Sequence, residues 1–216
     1  IDALLRHIQG SAPFTVLDFG CGPGRDLQAF TRLGHVAIGL DGTERFTQMA
    51  REDSGCEVWH QDFLKLDLPA ERFDGIFANA SLFHVPTQEL GQVLGKLHAA
   101  LKSGGVLLSS NPRGDNREGW NGERYGAYHD LQNWRTMLTA AGFAELEHYY
   151  RPASKAMKKL ITMVMDAAKV RNVPVTICGL AVGNPANTVQ YLQLGLRSFS
   201  VSPQNLLNVK KALLEL

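Results

Sequence analysis

Asp18-Phe19-Gly20-Cys21-Gly22-Pro23-Gly24 places three glycines at alternate positions behind a carboxylate. Such a run lets the backbone turn sharply and approach a ligand closely. It lies between an apolar, β-rich stretch at 14–19 and a helical stretch beginning at Arg25, whose first N–H groups face the same crevice. Two more carboxylates stand where the next two strand-like stretches end. Asp41 lies 17 residues beyond Gly24, and Asp62 is followed by Phe63. A carboxylate at the end of the second strand can accept both hydroxyls of a ribose. The G-x-G-x-x-G fingerprint fits Gly20 and Gly22 but finds Arg25 where the third glycine belongs.

The elements that must position these groups alternate. Strands are expected at 14–19, 35–40, 57–60, 73–78, 106–109 and 143–150, with helices at 25–33, 43–52, 87–101 and 131–141. Leu90, Val93, Leu94, Leu97 and Leu101 recur at helical spacing behind Thr87, a candidate N-cap, while Asp130 and Gly142 bracket the last helix. The Gly- and Asn-rich stretch 111–128 reads as a long loop. This alternation implies a Rossmann-like α/β domain, a mostly parallel sheet with helices on both faces, whose ligands lie at the carboxyl ends of the strands.

Five segments, in order, resemble class I S-adenosylmethionine-dependent methyltransferases over about 150 residues. They are the Asp18–Gly24 loop (motif I), Asp41, Asp62-Phe63, the motif IV-like Phe73-Asp74-Gly75-Ile76-Phe77-Ala78-Asn79-Ala80-Ser81-Leu82-Phe83-His84, and Leu101-Lys102-Ser103-Gly104-Gly105-Val106-Leu107, with Ser103 where proline is usual. The resemblance implies a cofactor, S-adenosylmethionine, whose cationic sulfonium and amino group suit an acidic loop. It implies cofactor contacts from Asp18, Gly20, Cys21, Gly22, Gly24, Asp41, Asp62, Phe63 and Ala80, with Asp62 at the adenine amino group and Phe63 on the ring. Methyl transfer is an in-line displacement, so holding and drying the reactants matters most, an effect of about 7–11 kcal/mol. His84 is the candidate proton acceptor. Trp120, Tyr125 and Tyr128, with His129 beside them, are expected to cover a small-molecule acceptor.

After Pro152 the pattern restarts: a helix at 153–170 with Ile161, Val164, Met165 and Ala168 on one face, a strand at 173–178, a helix at 188–194, a strand at 198–201 and a helix at 203–216. Val175 to Gly179, Asn184-Pro185 and Leu194 to Pro203 resemble the last two βα units of the TIM-type barrel of PEP-utilising enzymes. There the residue matching Cys178 protonates the enolate of pyruvate, although a buried apolar cysteine is the commoner role. Leu180 and Asn184 stand where that family often has Glu and Asp, and only a quarter of a barrel is present. Phosphotransfer from this chain alone is therefore not expected. Domains are expected at 1–152 and 153–216. The methyltransferase family's closing antiparallel strand has no counterpart after Pro152, so an inactive cofactor-binding remnant is a competing reading.

Composition agrees with a water-exposed globular chain: 44% hydrophobic and 20% charged. No apolar run approaches the ~18 residues of a membrane span, and no leader pattern is visible. Cys21, Cys56 and Cys178 are too scattered for a disulfide framework or a metal site, which suggests a reducing cytoplasm. A net charge of +1 argues against a nucleic-acid partner, and the oligomeric state is not legible. The charge is split: residues 1–150 carry 13 basic and 19 acidic side chains, residues 151–216 carry 9 and 2.

Overall fold

The computed structural model describes residues 1–148, 155–178 and 180–215, and excludes the side chains of 155, 156, 180 and 181. It contains two compact units, Ile1–Leu146 and Glu147–Leu216.

In the first unit, a short helix α1 (Asp2–Leu5) precedes β1 (Thr15–Phe19), α2 (Arg25–Arg32), β2 (Val36–Asp41), α3 (Glu44–Ser54), β3 (Glu57–His60), β4 (Phe73–Asn79), α4 (Thr87–Ala100) and β5 (Leu101–Ser110). The five strands form one parallel sheet, order β3-β2-β1-β4-β5. The order reverses beside β1, so the loops after β1 and β4 face each other across the switch point. Strand alternation divides the core. Leu17 and Phe19 join Leu90, Val93, Leu94 and Leu97 of α4 on one face, while Val16 joins Leu4, Leu27, Phe30 and Ala50 from α1 to α3 on the other. Burial on both faces is why these strands read as near-continuous apolar runs. Lys102–Gly105 fall in a register shift between β4 and β5, and the Lys102 ammonium reaches Asp74 at 2.8 Å.

Beyond β5 the expected loop contains a hairpin, β6 (Arg117–Asn121) and β7 (Arg124–Tyr128), closed by Gly122-Glu123. Gly122 alone of the two turn residues has positive φ, +62°, the pattern of a II′ turn, which favours Gly first. Helix α5 (Leu131–Ala140) follows, its N-terminus capped by the Asp130 carboxylate, which accepts from the Asn133 N–H at 2.8 Å. Two expectations are corrected. Pro86, not Thr87, is the N-cap of α4, because Thr87 already has helical geometry. The sixth strand is absent over 143–148; Tyr149 and Tyr150 lie outside the described residues. Only Phe143 in this stretch is a strong strand former, Ala144, Glu145 and Glu147 being residues that strands disfavour, and it pairs with no strand there.

The second unit comprises α6 (Lys155–Arg171), β8 (Thr176–Cys178), α7 (Pro185–Gln193), β9 (Ser198–Ser200) and α8 (Pro203–Leu214). β8 and β9 form a parallel pair of their own, as a helical crossover requires. Val182, Tyr191 and Leu196 are buried, with Ile161 and Met165 packed against them. Val164, expected on that apolar face, is 55% exposed. No helix among the described residues is long and apolar enough to cross a membrane.

Candidate cofactor and acceptor site

The glycine loop leaves β1 at the switch point. Gly20, Gly22 and Gly24 all have positive φ, at +79°, +53° and +90°. At two of them the missing side chain makes room for the protein itself: a Cβ on Gly20 would overlap Ser81 Cβ, and one on Gly24 would lie 3.0 Å from the Ala50 Cα. At Gly22 nothing lies within 4 Å, so this glycine borders open space.

The loop's N–H groups point into the protein. Gly20 and Cys21 both donate to the Leu40 carbonyl (2.7 and 3.0 Å), Gly22 donates to Asp41 Oδ2 (2.9 Å), and Gly24 donates to the Cys21 carbonyl (3.1 Å). Pro23 has none. A loop so bonded does not offer the N–H cradle that phosphates use. It presents carboxylates instead. Asp41 is buried and turned toward the loop. Its Oδ2 holds Gly22 and its Oδ1 accepts from Thr43 N–H (2.8 Å), and each oxygen keeps a lone pair for a further donor.

Asp18 is 2% exposed, and its Oδ2 has no hydrogen-bond partner. Burial, reinforced by the neighbouring Asp26 and Asp41 carboxylates and opposed by Arg25, pushes its pKa up to about 8. An orphaned, buried carboxylate oxygen beside two other acids fits a cationic ligand. The Cys21 side chain is buried in the cluster that holds Leu27 and Val58, and burial, then Asp18 and Asp41, push its thiol up to about 12.

The remaining candidates divide. Phe63 is half-buried, stacks on Phe19 at 4.3 Å between centroids and lies over Gly20. Asp62 is exposed, and its Oδ1 caps the short turn at Phe63–Lys65 through the Leu64 N–H at 2.9 Å. Ala80 is exposed at the end of β4 with φ +56°, a costly backbone state for a residue with a Cβ. His84 is exposed, and its Nδ1 is 2.6 Å from the Tyr125 carbonyl. A carbonyl only accepts, so Nδ1 carries the proton and Nε2 is left as the basic nitrogen.

The hairpin is clamped beside His84. Glu118 Oε2 accepts from the Thr87 N–H (2.8 Å) and hydroxyl (2.6 Å), and these bonds, with one from the Tyr125 hydroxyl, hold the Glu118 carboxyl below its ordinary range. Trp120 is 73% exposed and meets Tyr125 edge-on at 5.6 Å; Tyr128 lies 5.9 Å from Phe83. In the second unit Cys178 is exposed on β8 rather than buried, so packing does not account for it.

The structure thus brings Asp18, Gly20, Gly22, Gly24 and Asp41 to one crevice, and His84 and Tyr125 into contact. The sequence reading missed Ser81, Asp26 and Glu118. Ser81 sits inside the motif IV-like segment, but nothing local marks a serine as buried. Glu118 is joined to Thr87 only through the hairpin.

Residues 16–105 match the family described as methyltransferase domain. The chain carries a methyltransferase domain. Residues 138–216 match the PEP-utilising enzyme, PEP-binding domain. Over 123 residues the chain is 36% identical to a trans-aconitate 2-methyltransferase of Paracidovorax citrulli, covering 53% of this chain and 44% of that protein. Over 67 residues it is 37% identical to a phosphoenolpyruvate-protein phosphotransferase of Cupriavidus necator, covering 31% of this chain and 11% of that one. A crystal structure of 1,6-didemethyltoxoflavin-N1-methyltransferase from Burkholderia thailandensis, with 1,6-didemethyltoxoflavin and S-adenosylhomocysteine bound, superposes with a TM-score of 0.59 at 26% identity, covering 68% of this chain and 66% of that one. The chain spans about half the length of the curated methyltransferases it matches. The Rossmann-like sheet of the methyltransferase domain is that of this family, whose methyl donor is S-adenosylmethionine.

Proposed function

We propose that the domain expected at 1–152 binds S-adenosylmethionine in the crevice between the β1 and β4 loops and methylates a small-molecule acceptor near the β6–β7 hairpin. The observation that carries this is the inward bonding of the glycine loop. With its N–H groups spent and the carboxylates of Asp18 and Asp41 at its ends, the loop suits a ribose and a cation rather than a pyrophosphate. The cofactor, when bound, supplies the electrophilic methyl.

The chain's residues do the rest. Asp41 takes the ribose hydroxyls on its remaining lone pairs, the Asp18 Oδ2 faces the ammonium, and Gly22 leaves room for the ligand's backbone-side edge. Gly20, Gly24, Ala80 and the Cys21 backbone shape the wall, and Asp62 with Phe63 lies at the adenine end. His84 Nε2 accepts the proton an acceptor gives up, and Trp120, Tyr125 and Tyr128 exclude water. The small-molecule class follows the relatives, two of which are named for trans-aconitate and 1,6-didemethyltoxoflavin. A reducing cytoplasm suits three unpaired thiols.

Calorimetric titration of the whole chain with S-adenosylhomocysteine tests the site. Micromolar binding is expected, abolished by Gly22→Arg and weakened about 10- to 100-fold by Asp41→Ala, which strands the Gly22 and Thr43 N–H groups. Undiminished binding by Gly22→Arg would refute the assignment. One observation favours a second reading, a domain that binds without turnover: the described sheet ends at β5, with no strand over 143–148. Methyl transfer to any member of an acceptor panel decides between the two. A phosphotransferase role for the segment expected at 153–216, with Cys178 as proton donor, would require the rest of a barrel.

A further inference from the structure

We propose that the Ser81 hydroxyl positions the cofactor by donating to the carboxylate of its amino-acid arm, an inference that rests on the cofactor reading above. Ser81 is 3% exposed, and its Oγ has no hydrogen-bond partner. A buried hydroxyl left so costs stability, so it persists where something else uses it. Its position makes the omission conspicuous. Ser81 is the N-cap of the short turn Leu82–His84, where a serine side chain ordinarily accepts from the turn's own N–H groups. Here the Phe83 N–H donates to the Asn111 side-chain oxygen at 3.1 Å and the His84 N–H to the Ser81 carbonyl at 3.0 Å, so the hydroxyl caps neither.

Two features aim it at the switch point. Ala80 immediately before it is held at φ +56°, its N–H bonded to the Ser110 carbonyl at 2.7 Å. Opposite, Gly20 lacks the Cβ that would overlap Ser81 Cβ and lie 3.2 Å from its Oγ. The hydroxyl is therefore packed against the glycine loop at the carboxyl ends of two adjacent parallel strands.

The charges around it say which part of a ligand it meets. The Asp26 and Asp41 carboxylates, opposed by Arg25, act on buried Asp18, and three acids against one base favour the ammonium of an amino-acid arm over its carboxylate there. The N–H groups of Gly20, Cys21, Gly22 and Gly24 are committed inside the protein. On the β4 side, a buried hydroxyl with a proton to give is the donor that can hold that carboxylate while Asp18 holds the ammonium.

The test compares two ligands on the full chain, S-adenosylhomocysteine and 5′-methylthioadenosine, which lacks the amino-acid arm. Ser81→Ala is expected to weaken S-adenosylhomocysteine about tenfold, to leave methylthioadenosine within about twofold, and to raise or leave unchanged the melting temperature of the ligand-free protein, because an unsatisfied group is removed. Equal weakening of both ligands, unchanged affinity for both, or a lowered ligand-free melting temperature would overturn the proposal while leaving the cofactor reading intact. A wild-type chain that bound neither ligand would overturn the cofactor reading and this inference with it.

Discussion

β1 and β8 are both short strands that lead toward a helix, yet they differ in what covers them. Val16, Leu17, Asp18 and Phe19 are all buried, whereas β8 and β9 each bury their middle residue only in part, Ile177 and Phe199. A parallel sheet needs a layer on both faces. The methyltransferase domain has α1 to α3 on one side and α4 and α5 on the other. Among its described residues the second unit has a single strand pair, and in the barrel family it resembles, further strands would cover the other side. The same βα pattern therefore encodes the elements equally well in both regions, but a finished core in only one.

Four measurements can break or sharpen this contrast. Native-state hydrogen exchange should give the largest. Amides of β1 and β4 are expected to exchange at least about a thousandfold more slowly than those of β8 and β9, since opening a covered sheet requires global unfolding; equal protection would remove the contrast. Next, Leu94→Ala on α4, where Leu94 is fully buried, should cost about 2–5 kcal/mol in denaturant unfolding. Val164→Ala on α6, 55% exposed, should stay within about 0.5 kcal/mol.

The third concerns Asp18. Its raised pKa means that the folded, ligand-free domain keeps a proton that the unfolded chain has lost, so this group lowers stability as pH rises from the ordinary carboxylate range to about 8. The ammonium that Asp18 faces needs the ionised form. S-adenosylhomocysteine affinity is thus expected to tighten from pH 6 to 8, by at most about tenfold per unit, and to level off above that. Asp18→Asn should flatten the profile in calorimetry at several pH values. The smallest effect compares two helix caps. Asp130→Ala should cost about 1 kcal/mol in the unfolding of the methyltransferase domain, whereas Asn184→Ala, which removes the 3.0 Å bond to the Ala186 N–H, should lower only the second unit's transition.

Much of this was legible beforehand. The third strand falls at 57–60 as expected, four of the five expected leucine and valine positions lie buried on α4 while the fifth, Leu101, is buried at the start of β5, and the Asp130 cap forms, because apolar spacing and capping chemistry act over a few residues. The Gly122-Glu123 turn is an equally local signal, but it lies in a stretch rich in loop residues. The strand expected at 143–150 does not form over 143–148 for a different reason: Ala144, Glu145 and Glu147 are poor strand formers, and the stretch has no partner edge.

What sequence alone determined was the order of elements, the acidic glycine loop and the junction of two unlike regions, all consequences of residue type and short-range spacing. Only the tertiary structure decided that the loop's N–H groups turn inward, that Asp18 and Ser81 are buried with unspent polar atoms, and that Glu118 fastens the hairpin to α4. Each of these depends on which distant segments meet, and that is settled by packing across the sheet, where no neighbour in sequence has a say.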